Sequence, residues 1–223
     1  MSGKTEISRR GFLILVGGAI SASALPYDRL TALDTRQSVA EFIESRGEKD
    51  KKMKSKLLIA YASRCGSTGG VAEAIGKALG ETGAAVDVRL VENVNDLSPY
   101  RAVIVGSAIR MGKWLPEAVE FVKTHQDKLS RVPVAYFVVC LTMKDDTLEN
   151  RRKALAYLDP VRKQVPQVKP LDIGLFAGAI DFNKLSFVYS LILKVKGAHE
   201  GDFRNWEAIR TWAAGMCPAL WGT

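Results

Sequence analysis

The feature that most constrains the fold is an apolar run, VPVAYFVVC, over residues 132–140. A strand with one face in water alternates apolar and polar residues, whereas this run hardly alternates at all. A nearly continuous apolar strand is typical of the centre of a parallel sheet, where helices cover both faces. The run therefore predicts an α/β fold.

Strand and helix patterns alternate along the rest of the chain. Short apolar runs predict strands at residues 56–61, 86–91, 102–106, 132–140 and 171–180. Apolar residues at helical spacing predict helices at residues 71–79, 115–129, 146–163 and 203–216. This order predicts a doubly wound, five-stranded parallel sheet with helices on both faces.

The N-terminal 53 residues differ from this pattern. Arg9 and Arg10 precede an apolar stretch at residues 14–24 that ends in small residues, the arrangement of an export signal. The paired arginines resemble the twin-arginine signal, so residues 1–25 predict export or a membrane tether. If Met53 is the true start, the protein is cytoplasmic instead. Residues 26–53 are polar and predict a linker, which leaves residues 54–217 as the domain.

Composition and spacing argue against several functions. The formal charge is +8, but several of the basic residues lie in the leader and linker, and no basic-aromatic recognition module is visible, so we expect no nucleic-acid binding. The three cysteines are scattered, and neither histidine lies at ligand spacing from other donors. We therefore expect neither a disulfide framework nor a metal site.

The loop after the first predicted strand carries the strongest chemical signal. Hydroxyl side chains, a glycine and the N-terminus of a helix meet there, a combination that binds phosphate. The loop lacks the Gly-Lys-Ser/Thr ending of a nucleotide triphosphatase and the spaced glycines of a dinucleotide site. A single phosphate monoester fits better. The alternative is a turn in which Thr68 caps the helix and no ligand binds. The residues concerned are Ser63, Arg64, Cys65, Gly66, Ser67 and Thr68.

From about Lys56 to Met216 the chain resembles the flavodoxin-like superfamily. Within it, the chain looks most similar to the branch of menaquinone-dependent protoporphyrinogen dehydrogenases. Two further stretches carry that resemblance, namely VGSAIRMG at residues 105–112 and GDFRNW at residues 201–206.

The resemblance implies that FMN is the cofactor. The first loop would hold its phosphate through amides and hydroxyls, and two further loops would enclose its ring and ribityl chain. The second loop, with Lys113 beside it, comprises Ser107, Ala108, Ile109, Arg110, Met111, Gly112 and Trp114. The third loop comprises Cys140, Leu141, Thr142 and Met143.

The sequence departs from the family pattern at Cys65 and near Met111, where many relatives carry aromatic residues. Methionine can also cover a ring, and Trp114 either stacks on the ring or belongs to the core. Cys65 is either a reactive thiol beside a helix N-terminus or a small loop residue. Arg110 stabilises reduced flavin, steers a carboxylated substrate such as a porphyrin, or is a solvated loop arginine.

These features predict an FMN-dependent electron-transfer flavoprotein. Its redox partner would be a quinone or another redox protein. The protein would then be either a protoporphyrinogen-type dehydrogenase or a plain electron shuttle. The alternative outside redox functions is a scaffold domain that keeps the flavodoxin fold but has lost FMN. An apolar stripe at residues 183–196 either contacts a membrane surface or a partner, or covers the sheet.

Overall fold

The computed structural model describes residue 44, residues 56–184, 190–191 and 194–195, and residues 197–221. The chain divides into two compact units, one formed by residues 40–181 with 200–223 and the other by residues 1–39 with 182–199. The predicted leader, and all of the predicted linker except Glu44, lie outside the described residues.

The larger unit alternates strands and helices, as the sequence predicts. Its strands are β1 (Lys56–Ala62), β2 (Ala85–Leu90), β3 (Tyr100–Arg110), β4 (Lys113–Trp114), β5 (Val134–Val139), β6 (Ile173–Phe176), β7 (Ala179–Ile180) and β8 (Gly201–Asp202). Its α-helices are α1 (Ser67–Glu81), α2 (Pro116–Thr124), α3 (Gln126–Leu129), α4 (Leu148–Ala156), α5 (Asp159–Gln164) and α6 (Trp206–Trp221).

The main sheet has the order β2-β1-β3-β5-β6, and every pair along that path is parallel. The short strand β4 folds back antiparallel onto the end of β3. The chain passes from β1 to β2 on one side and then to β3 on the other, so the winding direction reverses between β1 and β3. This confirms the predicted flavodoxin-like, doubly wound sheet of five parallel strands.

Alternate residues of the strands supply two cores, one on each face of the sheet. In β1, Leu58 and Ala60 face the core that includes Leu115, Ala118, Leu158 and Val161 from α2, α5 and the connecting segments. Leu57 and Ile59 face the other core, shared with Val71, Ile75, Ile209 and Ala213 from α1 and α6. Burial on both faces explains why β5 reads as a continuous apolar run.

Two predicted helices are each divided in the structure. The helix predicted at residues 146–163 ends at Ala156, and α5 begins at Asp159 with Pro160 in its first turn. Proline lacks the amide hydrogen and its ring crowds the carbonyl four residues back, so one continuous helix is excluded. The helix predicted at residues 115–129 is interrupted at His125, whose backbone leaves the helical region (φ −101°, ψ 13°).

The prediction of one strand at residues 171–180 is wrong in its second half. Strand β6 stops at Phe176, and β7 pairs antiparallel with β8 in a separate two-stranded sheet. Between them, the carbonyl of Gly178 accepts a hydrogen bond from the amide of Phe203 (3.1 Å). The chain therefore leaves the main sheet to pair with the segment before α6.

The first and last helices differ from the predicted ranges. Helix α1 begins at Ser67, four residues early, because Gly66 turns the chain with a left-handed φ of 83°. Helix α6 begins at Trp206, where the side-chain oxygen of Asn205 accepts a hydrogen bond from the amide of Ala208 (3.0 Å), a cap that the periodicity did not reveal. It continues past Pro218 and buries Leu220 completely.

The smaller unit is described only in part. Phe182–Lys184 form a 3-10 turn, and the ammonium of Lys194 lies 4.6 Å from the ring centroid of Phe182. Residues 185, 187, 188 and 192 of the predicted apolar stripe lie outside the described residues. Within the part of the chain that the structure describes, no helix is both long and apolar enough to cross a membrane.

Candidate functional site

The first loop follows β1 and turns sharply at Gly66. The Gly66 amide donates a hydrogen bond to the Ser63 hydroxyl (3.0 Å), and its φ of 83° lies in the left-handed region that favours glycine. Because the turn is so tight, Ser67 and Thr68 belong to the first turn of α1. The alternative in which Thr68 is the helix N-cap is therefore wrong, since Gly66 occupies that position.

The first turn of α1 has the properties of an anion site. The first amides of a helix have no partner within the helix, and the helix dipole places partial positive charge there. Thr68 is completely buried, yet its hydroxyl has no hydrogen-bond partner among the described residues. This turn contains no acidic residue. A phosphate oxygen at this position would satisfy groups that the protein leaves unsatisfied.

Arg64 ties the first loop to the second. Its guanidinium makes a two-pronged contact with the Glu117 carboxylate, at 2.5 Å (Nη1 to Oε1) and 3.0 Å (Nη2 to Oε2). Glu117 lies in the first turn of α2, which follows the second loop. The side-chain charge of Arg64 is therefore offset in part within the protein.

The second loop is a two-residue hairpin between β3 and β4. Ile109 pairs with Trp114 and Arg110 with Lys113, which leaves Met111 and Gly112 at the tip with φ of 51° and 73°. A left-handed backbone at both tip residues is typical of the tight hairpin turn that matches strand twist. The Met111 side chain is 50% exposed.

Four predicted residues of the second loop pack inward instead. Ser107 is completely buried, and its hydroxyl accepts a hydrogen bond from the Leu115 amide (3.0 Å) and donates one to the Ala108 carbonyl (2.8 Å). Trp114 is buried in the core, with its ring edge-on to Tyr136 at 5.1 Å between centroids. The structure thus supports the core interpretation of Trp114, because a buried indole offers no face to a ligand. Ile109, like Ala108, packs against the same core.

The third loop follows β5 and includes a 3-10 turn at Leu141–Lys144. Leu141 is 36% exposed, whereas Cys140 and Met143 are buried. Burial raises the pKa of the Cys140 thiol, and hydrogen bonds from the Met143 amide and from Thr142 offset only part of that effect. Leu141 is therefore the apolar side chain that this loop presents to solvent.

Tyr157, which the sequence did not single out, lies against the second and third loops. Its hydroxyl lies 3.0 Å from the Thr142 hydroxyl, and a methyl group added at Gly112 would lie 3.5 Å from its ring. The sequence signal was weak, since Tyr157 is a single aromatic residue at the end of a charged helix. The second and third loops thus lie beside the same tyrosine side chain.

The motif at residues 201–206 reaches the first and third loops, although no role was predicted for its residues. The Lys144 ammonium lies 4.5 Å from the ring centroid of Phe203. The Arg204 guanidinium donates to the Ser67 carbonyl at 3.4 Å. The structure therefore brings the three predicted loops and this motif together at the carboxyl ends of the strands, beside the switch point between β1 and β3.

Metal chemistry has no visible support in the described part of the chain. No group of three or more His, Cys, Asp or Glu side chains is arranged there to hold an ion. The site instead combines helix amides, hydroxyls and two exposed apolar side chains.

A family model for the flavodoxin domain matches residues 58–203, which include all three loops. The chain belongs to this family. Similar curated proteins are the protoporphyrinogen IX dehydrogenases [quinone] of Leishmania major and Escherichia coli K12. The first is 29% identical over 173 residues, covering 71% of this chain and 73% of the relative. The second is 27% identical over 172 residues, covering 71% and 92%.

Two solved structures illustrate the likeness of the fold. The Flv1 flavodiiron core of Synechocystis sp. PCC6803 has a TM-score of 0.50 at 12% identity, covering 76% of this chain and 37% of that one. Oxidised flavodoxin 2 of Bacillus cereus has a TM-score of 0.48 at 20% identity, covering 74% and 99%. At these identities the likeness concerns the fold alone.

The buried thiol of Cys140 gives a test of the third loop. We expect iodoacetamide to alkylate Cys140 more slowly than the partly exposed Cys217 at pH 8, because burial raises the pKa of the Cys140 thiol and shields its sulfur from the reagent. Mass spectrometry of tryptic peptides after timed labelling measures both rates. In denaturant the two cysteines should react alike, and equal rates in the native protein would contradict the buried placement.

Proposed function

We propose that this protein binds FMN and transfers electrons through it. The observation that carries the proposal is the first turn of α1 at the switch point. A left-handed glycine starts a 15-residue helix there, and the buried Thr68 hydroxyl lacks a partner among the described residues. Such a turn suits a phosphate monoester, and a ligand of an open α/β sheet sits beyond the strand ends at this position.

The residues present fit the rest of that cofactor. The amides of the Ser63–Thr68 segment would hold the phosphate, and Met111 and Leu141 would give apolar cover to the ring. FMN supplies the electron-transfer chemistry when bound, so the protein needs no nucleophile or general acid of its own. The protein would contribute by binding and orienting FMN and by shielding its ring from water, and the three loops would do this.

A quinone is the electron acceptor that we favour. The curated relatives from Leishmania major and Escherichia coli are named as quinone-linked dehydrogenases of protoporphyrinogen IX. Arg110, at the end of β3 beside the exposed Met111, supports a carboxylated substrate such as a porphyrinogen, because a guanidinium binds carboxylates well. The second candidate function is an electron shuttle between redox proteins, and the third is a scaffold that does not bind FMN.

Binding measurements test the cofactor directly. We expect the purified chain to be yellow, or to become so with added FMN, and to bind FMN roughly 100-fold more tightly than riboflavin. Two charge-assisted hydrogen bonds to the phosphate, at about 1.5 kcal/mol each, account for that ratio. Quenching of flavin fluorescence measures both dissociation constants. A colourless protein that rejects FMN would instead identify the scaffold.

Two glycines with left-handed φ provide a matched control for this measurement. Gly66→Ala should strain the phosphate turn and weaken FMN binding about tenfold, since a left-handed alanine costs about 1–2 kcal/mol. Gly83→Ala adds a similar strain at the far end of α1, where nothing lies within 4 Å of the added methyl. Gly83→Ala should leave the FMN affinity unchanged, so equal losses in both variants would count against the site.

Turnover tests the substrate and acceptor. With protoporphyrinogen IX and a soluble menaquinone analogue under anaerobic conditions, we expect porphyrin fluorescence to appear. Arg110→Gln should raise the KM for the porphyrinogen about tenfold, the equivalent of one charge-assisted hydrogen bond. Oxidation of the chemically reduced protein by the uncharged quinone should be unaffected.

Arg131→Gln is the control, because this exposed arginine lies before β5, at the opposite edge of the sheet. If quinone oxidises the reduced protein but no porphyrin forms, the shuttle replaces the dehydrogenase. If quinone fails as well, the acceptor assignment is wrong.

We further propose that residues 1–25 direct the protein out of the cytoplasm or tether it to the membrane. The support is the Arg9-Arg10 pair before the apolar stretch at residues 14–24. Replacing both arginines by lysine should retain most of the protein in the cytoplasm, whereas Lys51→Arg with Lys52→Arg should not. Fractionation and N-terminal sequencing measure this. A mature protein that begins at Met53 in the cytoplasm would refute it.

A further inference from the structure

The guanidinium of Arg204 is fixed by three contacts. Its Nε and Nη2 donate to the two carboxylate oxygens of Asp202 (2.8 and 2.6 Å). Its plane lies over the Trp206 ring, 4.3 Å from the centroid. Its Nη1 donates to the carbonyl of Ser67 in the first turn of α1. Only 17% of the side chain is exposed. An arginine held in this way adds a defined charge at a defined place.

The first turn of α1 is built to admit this guanidinium. A methyl group added at Gly70 would lie 2.5 Å from Arg204 Nη1. A glycine inside a helix is less favourable than alanine, so Gly70 weakens the helix locally. The presence of glycine at this position has a physical reason, because any larger residue would displace Arg204 from the turn.

The charge at this position is unusual for a helix N-terminus. The helix dipole favours negative groups there, but the first turn of α1 has no acidic residue and receives an arginine instead. Asp202 offsets part of the charge, and the hydrogen bonds from Arg204 lower the pKa of its carboxyl, which is therefore ionised at neutral pH. A cation beside a helix N-terminus is stabilised when an anion binds to the same turn.

We propose that Arg204 is a positioning residue for the phosphate turn and a determinant of selectivity for phosphorylated flavin. It fixes the Ser67–Gly70 turn against the segment before α6, and its charge favours the dianionic phosphate. The proposal rests on the proposed function, because the phosphate in question is that of FMN. It assigns a role to a residue outside the three loops.

Three variants test the role of Arg204. Arg204→Gln should weaken FMN binding about tenfold, the loss of one charge-assisted interaction, and leave riboflavin binding within about twofold. Arg204→Lys should bind FMN more tightly than Arg204→Gln but less tightly than the native protein, because lysine keeps the positive charge but lacks the planar guanidinium that donates to two oxygens at once. Gly70→Ala should weaken FMN binding to a similar degree by displacing an unchanged arginine. Combining Gly70→Ala with Arg204→Gln should add little, since both act on one contact.

The phosphorus-31 resonance of bound FMN supplies a readout that a purely structural role would not move. A nearby cation favours the dianion, so the phosphate pKa should lie below its ordinary value of about 6 in the native complex. In Arg204→Gln it should rise towards that value.

Arg101→Gln is the matched control. The Arg101 guanidinium also lies over an indole ring, 4.7 Å from the centroid of Trp221, and donates to the Trp221 carbonyl. Arg101 is in the first residues of β3, at the opposite edge of the sheet, so FMN and riboflavin binding should both be unchanged in this variant.

The outcomes separate this proposal from the function on which it rests. If the native protein binds no FMN, both are wrong. If it prefers FMN to riboflavin but Arg204→Gln and Gly70→Ala change neither the affinity nor the phosphate titration, the role of Arg204 is refuted and the function stands. If Arg204→Gln weakened the binding of FMN and of riboflavin equally, Arg204 would have only a structural role, and the proposed selectivity for phosphate would be refuted.

Discussion

The left-handed turn at Gly66 is the constraint on which the site depends. A residue with a Cβ atom is strained at a φ of 83°, and a wider turn would delay the start of α1. Because the turn is tight, the amides and the buried Thr68 hydroxyl of the first helical turn gather directly beyond the end of β1. The reversal of winding between β1 and β3 leaves room for a ligand at that place.

Much of the fold was predictable because burial on both faces leaves a plain sequence signal. The apolar run in β5 implied a central parallel strand, and the alternation of elements implied the winding. The errors lie where local chemistry overrides periodicity. Pro160 divides a helix that the apolar spacing made continuous, and Asn205 sets the start of α6 through a side-chain cap. Strand β6 ends early because the following residues pair with β8, and periodicity cannot reveal a contact between residues that are 21 and 23 positions apart.

The site was predictable in outline for a different reason. Parallel strands end at one edge of the sheet, so the loops after β1, β3 and β5 had to meet there. Which side chains face outward was harder to infer, because it depends on packing. Trp114 and Ser107 turn inward, while Met111 and Leu141 remain exposed. Glu117, Tyr157 and Arg204 escaped notice because each acts through a partner distant in sequence.

The Tyr157 ring has a mechanical consequence. Its hydroxyl lies within hydrogen-bonding distance of the Thr142 hydroxyl, and a single methyl group added at Gly112 would already be in van der Waals contact with the ring. The side chain therefore limits how closely the second loop can approach the third, so the tyrosine sets a minimum spacing between the two loops.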